Sequence, residues 1–201
     1  MIAIIDYGAG NIFSVKNALD YLGLESALVK DEKSVREADE IILPGVGAFP
    51  AAMEMLEKSG LVPVIREESK KKPFLGICLG MQVIFEKGYE FGECDGLGLI
   101  PGSVRKMEEP GLIIPHMGWN KLEKLNDCPL LENIGDEEFV YFVHSYKAET
   151  EDKFIAAFSQ YGGRVPALVW DGNFVYGAQF HPEKSGETGL KILRSFAELA
   201  K

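Results

Sequence analysis

The sequence predicts an α/β fold with a largely parallel central sheet, flanking helices and antiparallel additions. Short apolar segments alternate with helical patterns through residues 1–86, whereas strand patterns follow one another closely through residues 97–180. Strands separated by helices need crossover connections and are parallel, while strands joined by short turns are antiparallel. With 46% hydrophobic and 26% charged residues, and without an internal repeat or linker, residues 1–201 are expected to form a single domain.

The first half supplies the predicted parallel strands and their helices. Apolar runs predict strands at Ile2–Asp6, Ile41–Leu43 and Pro73–Ile77. Helical spacing predicts helices at Asn11–Leu22, with Asn11 as N-cap, at Ala48–Ile65, with interruptions near Gly60 and Pro63, and at Leu79–Glu86. This alternation implies right-handed crossovers.

The second half supplies the antiparallel additions. Short strands are predicted at Leu97–Ile100, Val104–Met107, Trp119–Leu122, Phe139–Lys147, Phe154–Phe158, Ala167–Trp170 and Phe174–Phe180. Asp171-Gly172-Asn173 is typical of a hairpin turn, and Gly186–Lys201 predicts a final amphipathic helix.

Charge and cysteine content exclude several classes of partner. The net charge of −10 argues against nucleic acid and anionic membranes, because both repel an acidic protein. No apolar stretch is long enough to span a bilayer, and residues 1–6 are typical of a first strand, not of a signal peptide. Cys78, Cys94 and Cys128 are few and widely spaced, which fits a reducing cytoplasm and predicts no metal site; no cofactor is expected.

One cysteine lies in a strand–turn–helix motif. The apolar segment ending at Ile77 leads into Gly-x-Cys-x-Gly, formed by Gly76, Cys78 and Gly80. Such a tight turn needs glycines, because a Cβ at either position would crowd neighbouring elements. Cys78 would lie at a helix N-terminus, where the helix dipole favours a thiolate. By itself the motif fits a nucleophile and a buried structural cysteine about equally well.

A nucleophilic thiol usually needs a base, and the chain has three histidines. His116 and His144 have no acidic residue close by, whereas His181 follows an apolar strand pattern and precedes Glu183 by two positions. In extended chain this spacing places both side chains on one face, and the intervening proline favours that geometry. In isolation this segment fits a surface turn, but together with Cys78 it predicts a catalytic triad in which Glu183 orients His181.

The reaction also needs donors for a negatively charged oxygen. The turn after Cys78 places the N–H of Leu79, and the turn Gly45–Val46–Gly47 follows a neighbouring predicted strand. Parallel strands end at one edge of the sheet, where ligands bind. A phosphate loop is the alternative for the second turn, but its Gly-Lys-Ser/Thr ending is missing.

These motifs resemble the class I, triad-type glutamine amidotransferases, in which Cys, His and Glu follow in the same order. The resemblance covers the whole chain and is carried by Asp6–Asn11, Leu43–Ala48, Gly76–Gln82, Pro115–Asn120, Phe142–Tyr146 and Phe180–Ser185. It implies a flavodoxin-like fold and an enzyme that hydrolyses L-glutamine through Cys78, His181 and Glu183. It also implies that the glutamine is held by Gln82, Ser145, Tyr146 and Glu90.

Within the family, the segments Asp6–Asn11 and Pro115–Asn120 resemble those of members that supply ammonia to a (β/α)₈-barrel cyclase in histidine biosynthesis. The resemblance implies a heterodimer, whose cyclase uses the ammonia to form imidazole glycerol phosphate and aminoimidazole carboxamide ribotide. It implies a cyclase-facing surface that includes His116, Trp119, Asn120, Tyr141 and Lys184. By itself, Trp119 fits a core aromatic equally well.

Two alternative functions would fit part of these motifs. Glutaminase subunits for pyridoxal phosphate, anthranilate or purine synthesis would share the triad but differ at Asp6–Asn11 and Pro115–Asn120. A non-catalytic binding protein on the same fold would have no need of a complete triad.

Overall fold

The structure, a computed structural model, describes residues 1–108 and 111–200. Its strands are β1 (Ile2–Ile5), β2 (Ser26–Val29), β3 (Glu40–Gly45), β4 (Phe74–Cys78), β5 (Phe85–Gly88), β6 (Cys94–Asp95), β7 (Ile100–Lys106), β8 (His116–Lys121), β9 (Glu123–Lys124), β10 (Phe139–His144), β11 (Tyr146–Glu149), β12 (Ile155–Gln160), β13 (Arg164–Trp170) and β14 (Val175–Ala178). Its helices are α1 (Ile12–Tyr21), α2 (Glu32–Glu37), α3 (Phe49–Ser59), α4 (Val62–Glu68), α5 (Leu79–Val83) and α6 (Gly186–Phe196). Within the described ranges, no helix is long and apolar enough to cross a membrane.

The central sheet has eight strands in the order β2-β1-β3-β4-β14-β13-β12-β9. The first five strands in this order, β2 to β14, pair in parallel. The last three, β13, β12 and β9, continue the sheet in antiparallel pairs. A four-stranded sheet, β11-β7-β5-β6, and a two-stranded ribbon, β10-β8, complete the fold. The prediction of a largely parallel sheet with antiparallel additions is confirmed, while the single domain over residues 1–201 stays a prediction.

Two apolar cores cover the two faces of the central sheet. Side chains alternate along a strand, so Ile2 and Ile4 pack on one side with residues of α1 and α6. Ala3 and Ile5 pack on the other side with residues of α3 and α4. Because helices cover both faces, β3 and β4 are buried along their whole length.

Several predicted elements differ in extent from those observed. The long helix predicted at Ala48–Ile65 is two helices, because Gly60 adopts the left-handed conformation at the end of α3. The helix predicted at Leu79–Glu86 ends at Val83, and the chain continues as β5. The segment is apolar on all sides, so periodicity alone does not separate a helix from a buried strand.

Other differences concern short or divided elements. The strand predicted at Phe139–Lys147 is divided at Ser145 into β10 and β11, which belong to different sheets. The side chain of Asn11 caps no backbone N–H of α1 and accepts instead from Ser14 Oγ at 2.8 Å. The last predicted helix ends at Phe196, and Lys201 lies outside the described residues. The sequence patterns missed β2 and α2, as well as the two-residue strands β6 and β9.

Candidate active site

The turn from β4 to α5 places Cys78 at the carboxyl edge of the central sheet. Cys78 has a φ of 55°, which is unusual for a residue other than glycine. A Cβ on Gly76 would lie 2.5 Å from the carbonyl oxygen of Gly80, and a Cβ on Gly80 would lie 1.8 Å from that of Leu43. Close backbone contact therefore requires glycine at both positions, as the sequence motif predicts. A strained φ in a residue other than glycine, as at Cys78, is typical of functional turns.

The imidazole of His181 is held by Glu183. His181 Nδ1 donates to Glu183 Oε1 at 2.8 Å, and the two side chains are only 3% and 1% exposed. The backbone N–H of His181 donates to the carbonyl oxygen of Tyr141 at 3.0 Å, which fixes the chain at this point. His181 Nε2 is buried and makes no hydrogen bond to any described residue. This nitrogen is therefore the one available for chemistry.

The surroundings of His181 favour its protonated form. Burial by itself lowers the pKa of His181, but the polar interactions of its ring with the nearby Cys78 and with Glu183 outweigh burial and raise that pKa to about 9. The ordinary value is 6.5. His181 thus carries a proton at neutral pH, as a general acid requires.

A cavity of about 400 Å³ opens at this edge of the sheet. The predicted residues that line it are Val46, Gly47, Cys78, Leu79, Gln82, Glu90, Ser145, Tyr146 and His181. Gly45 lies beneath the lining, where it pairs with Cys78 across β3 and β4. The structure therefore brings the predicted nucleophile, the predicted catalytic histidine, the turn after β3 and the predicted glutamine contacts around one volume.

A hydrogen-bond network forms one wall of the cavity. The carbonyl oxygen of Tyr146 accepts from Gln82 Nε2 at 3.1 Å and from His144 Nδ1 at 2.8 Å. Gln82 Nε2 also donates to Gln179 Oε1 at 3.1 Å. Sequence reasoning missed the places of Gln179 and His144 in this wall. One signal points to Gln179: it precedes His181 by two positions, so both side chains fall on the same face of an extended segment.

Glu90 connects the cavity to the start of α3. Its Oε2 accepts from the backbone N–H of Phe49 at 2.8 Å, where a carboxylate also interacts favourably with the helix dipole. Burial and then the charge of Glu90 raise the pKa of Tyr146. Glu90 and Tyr146 therefore act on each other across the same pocket.

The two histidines outside the triad form a buried pair. His116 Nδ1 and His144 Nε2 lie 3.0 Å apart, and His116 Nε2 lies 2.8 Å from Asn120 Oδ1. Burial, together with the charges of His116 and His181, lowers the pKa of His144 to about 3, although the hydrogen bond to the Tyr146 carbonyl opposes this. His144 is therefore neutral under ordinary conditions, consistent with the choice of His181 as the acid and base.

The predicted partner surface is only partly exposed. Trp119 is 54% exposed and packs edge-on against the ring of Tyr141, with 6.0 Å between the two ring centroids. Lys184 is exposed, and Asn120 is half-buried. For His116 the structure differs from the prediction of a partner-facing residue. Its side chain is fully buried and stacked between the rings of Phe142 and Tyr161, so it does not face a partner in this conformation.

None of the predicted site residues lines a second, larger cavity of about 540 Å³, which is bounded by residues 124–129, 131, 132 and Trp170. Burial raises the pKa of Cys128, which borders it. A buried cysteine without a base is an inert structural thiol. Among residues 1–108 and 111–200, no group of three or more His, Cys, Asp or Glu side chains is placed to hold a metal ion.

Comparison with known proteins fits this geometry. Residues 3–199 match the family described as "Glutamine amidotransferase class-I". The chain is 53% identical to the imidazole glycerol phosphate synthase subunit HisH of Bacillus cereus strain ATCC 14579, over 98% of this chain and 93% of the relative. It is 51% identical to the subunit of the same name from Bacillus thuringiensis strain Al Hakam, with the same coverage.

Solved structures show the same fold. The Thermotoga maritima structure titled PurLQS aligns with a TM-score of 0.78 and 21% identity, over 100% of this chain and 98% of that one. A crystal structure titled glutamine amidotransferase aligns with a TM-score of 0.77 and 20% identity, over 100% and 99% of the two chains. From the family match and the identity to these relatives, the chain belongs to the class I glutamine amidotransferase family.

Proposed function

We propose that this chain hydrolyses L-glutamine to glutamate and ammonia and delivers the ammonia to a (β/α)₈-barrel cyclase subunit. That cyclase would form imidazole glycerol phosphate and aminoimidazole carboxamide ribotide in histidine biosynthesis. One observation carries the hydrolysis: Cys78 ends β4 beside His181, whose Nδ1 is held by Glu183 at 2.8 Å. The relatives named as imidazole glycerol phosphate synthase subunits support the pathway and the partner.

The first half of the reaction forms a thioester. The Cys78 thiolate attacks the side-chain amide carbon of glutamine, and the carbonyl oxygen becomes negatively charged. His181 Nε2–H then protonates the amide nitrogen, the carbon–nitrogen bond breaks, and ammonia leaves. A pKa raised to about 9 keeps this proton available on His181 at neutral pH.

The second half releases glutamate. His181, now neutral, takes a proton from water through Nε2, and the water oxygen attacks the thioester carbon. The tetrahedral intermediate collapses, glutamate leaves, and the Cys78 thiolate and the His181 imidazolium are restored. Glu183 stabilises the imidazolium at both ends of the cycle.

Two backbone turns bind the negatively charged oxygen. The N–H of Leu79 belongs to the first residue of α5 and has no partner within its helix. The second donor comes from Gly45–Val46–Gly47, where Val46 is 47% exposed and Gly47 has a φ of 109°. Rotation of this exposed peptide would turn either a carbonyl or an N–H toward the site. A partner seated beside the turn would thus set the activity.

Four residues hold the substrate glutamine. Both hydrogens of the Gln82 amide nitrogen are already used, by Tyr146 and by a neighbouring glutamine, so Gln82 Oε1 is left to accept from the substrate. Glu90 accepts from Phe49 N–H through Oε2 and offers Oε1 to the substrate's ammonium group. Ser145 and Tyr146 line the same cavity and bind the substrate through backbone and side chain.

The cyclase would dock on the surface that contains Trp119, Tyr141, Asn120 and Lys184. Trp119 is exposed and its ring packs edge-on against the half-buried Tyr141, and aromatic residues are enriched at protein interfaces. A chain of hydrogen bonds connects this surface to the glutamine pocket. It runs from Asn120 through the buried pair His116 and His144 to the carbonyl oxygen of Tyr146.

Glutamate release from the complex with the cyclase tests the hydrolysis. Cys78→Ala should abolish glutamine-dependent glutamate and ammonia release, while Cys94→Ala, which alters a half-buried cysteine outside the cavity, should leave it unchanged. Retained release in Cys78→Ala would overturn the proposed nucleophile.

Size-exclusion chromatography and glutaminase rates test the partner. We expect a complex with the cyclase barrel and a rate increase when the cyclase binds its nucleotide ligand. Trp119→Ala should weaken the complex. Tyr21→Ala should not, because Tyr21 is an exposed aromatic at the far end of α1, which runs away from the carboxyl edge of the sheet. No complex and no rate increase would refute the partner.

A further inference from the structure

Gln179 lies against the catalytic sulfur and belongs to no predicted motif. It directly follows β14, its side chain is fully buried, and its backbone N–H donates to the carbonyl oxygen of Ala167 at 2.9 Å. Its Nε2 lies 3.9 Å from Cys78 Sγ. A buried amide of this kind is retained in a core only if its hydrogen bonds are made.

The network fixes which end of the Gln179 amide faces the sulfur. The carbonyl oxygen of Tyr146 can only accept, so Gln82 must turn its amide nitrogen toward it. The same nitrogen donates its second hydrogen to Gln179 Oε1. Gln179 must therefore present its own NH₂ group to Cys78. The orientation of an amide is otherwise ambiguous, but here it follows from a chain of hydrogen bonds that begins at a backbone carbonyl.

Two neighbours of the sulfur favour opposite protonation states. The carbonyl oxygen of Val143 lies 3.9 Å from Cys78 Sγ and accepts the thiol hydrogen. The Gln179 N–H groups donate to the sulfur and suit the thiolate, and hydrogen bonds to ionised groups are the stronger kind.

We propose that Gln179 is a positioning residue that stabilises the Cys78 thiolate through its NH₂ group and, through its carbonyl oxygen, holds Gln82 against the glutamine pocket. The proposal rests on the proposed function, because it assigns Gln179 a part in the glutaminase reaction. A role in packing alone would not favour one ionisation state of the sulfur over the other.

The test is the pH dependence of Cys78 alkylation by iodoacetamide, followed by peptide mass spectrometry so that Cys94 and Cys128 are counted separately. In Gln179→Met, which keeps length and loses the amide, the pH of half-maximal alkylation should rise by about one unit. In Gln179→Glu, which keeps the shape but replaces the donor with a carboxylate, it should rise further. Gln160→Met, at an exposed glutamine of β12, should leave it unchanged.

Kinetics of the complex with the cyclase separate positioning from packing. We expect kcat to fall by about tenfold or more in Gln179→Met, with a smaller change in KM for glutamine. If the wild-type alkylation profile is retained in both Gln179 variants, the proposal is overturned. If circular dichroism shows that Gln179→Met does not fold, the alkylation profile of Gln179→Glu alone tests the proposal. Failure of the proposed function is distinguishable, because it appears as glutamine turnover that persists in Cys78→Ala.

Discussion

Gly45 and Cys78 lie opposite each other at the carboxyl ends of β3 and β4. The turn proposed to bind the oxyanion therefore begins one strand away from Cys78. A Cβ on Gly45 would lie 2.8 Å from the Tyr7 hydroxyl and 3.0 Å from the backbone nitrogen of Gly80. Because the two turns pack backbone against backbone, the position of the sulfur depends on a glycine in the neighbouring strand.

Replacement of Gly45 should therefore damage the site. We expect Gly45→Ala to lower the free energy of unfolding by about 1–3 kcal/mol, because the added methyl group must push apart β3, α5 and Tyr7. Glutaminase activity should fall as well. Urea unfolding and glutamate release measure the two effects. Gly135→Ala is the matched control, since its Cβ would meet no atom closer than 3.6 Å. Equal behaviour of the two variants would contradict this account.

Glu183→Gln should lower the pKa of His181 from about 9 toward its ordinary value of 6.5, because the carboxylate charge that favours the imidazolium is removed. Because folding raises the pKa of His181, protonated His181 stabilises the native state. This stabilisation is complete when the pH is below the pKa in the unfolded chain, and it is lost as the pH rises from about 6.5 to about 9. Because Cys78 also raises this pKa, the variant should show a smaller loss over the same pH range, and it should release glutamate about a hundredfold more slowly.

NMR titration of the three histidines measures this pKa directly. Glu187→Gln is the control, because Glu187 is exposed at the start of α6. An unchanged His181 titration in Glu183→Gln would show that the carboxylate does not set the protonation of the imidazole.

His144 should destabilise the protein in acid. Its pKa is lowered to about 3 by burial, so the unfolded chain takes up a proton below about 6.5 while the native protein does not. The contribution of His144 to stability is therefore complete above 6.5 and is lost progressively toward pH 3. Between pH 7 and pH 4 the free energy of unfolding should fall by about 3 kcal/mol more in the wild type than in His144→Gln. Urea unfolding at several pH values measures the difference, and parallel curves would contradict it.

Tyr7→Phe should stabilise the protein. The Tyr7 hydroxyl is buried and has no hydrogen-bond partner among the described residues, and burying an unpaired polar group costs free energy. We expect the free energy of unfolding to rise by up to about 1 kcal/mol. Tyr161→Phe should do the opposite, because the Tyr161 hydroxyl donates to the carbonyl oxygen of Ile113 at 2.6 Å. A loss of stability in Tyr7→Phe would mean that its hydroxyl has a partner.

Local patterns in the sequence were enough to predict the carboxyl edge of the central sheet. The strands ending near Gly45 and Cys78 are continuous apolar runs followed by glycine-rich turns, and such runs are typical of strands buried on both faces. The spacing of two predicted the contact between His181 and Glu183, but not its geometry, because Pro182–Lys184 form a 3₁₀ turn and not the extended chain that was expected. Each of these inferences depended on neighbours in sequence.

Features that depend on tertiary packing were not predictable in the same way. Strand β2 has the half-buried composition of a sheet edge, and α2 has only six residues, so neither carries a strong pattern. The orientation of the Gln179 amide depends, through Gln82, on the backbone carbonyl of Tyr146 in β11, which is far away in sequence. His116 was placed at the surface by resemblance, but Phe142 and Tyr161 enclose it.

The most direct test of the central claim is the site at which a diazoketone analogue of glutamine alkylates the chain in its complex with the cyclase. Peptide mass spectrometry should find the adduct on Cys78, in proportion to the loss of glutaminase activity, with Cys94 and Cys128 unmodified. Complete inactivation with an unmodified Cys78 would contradict the account.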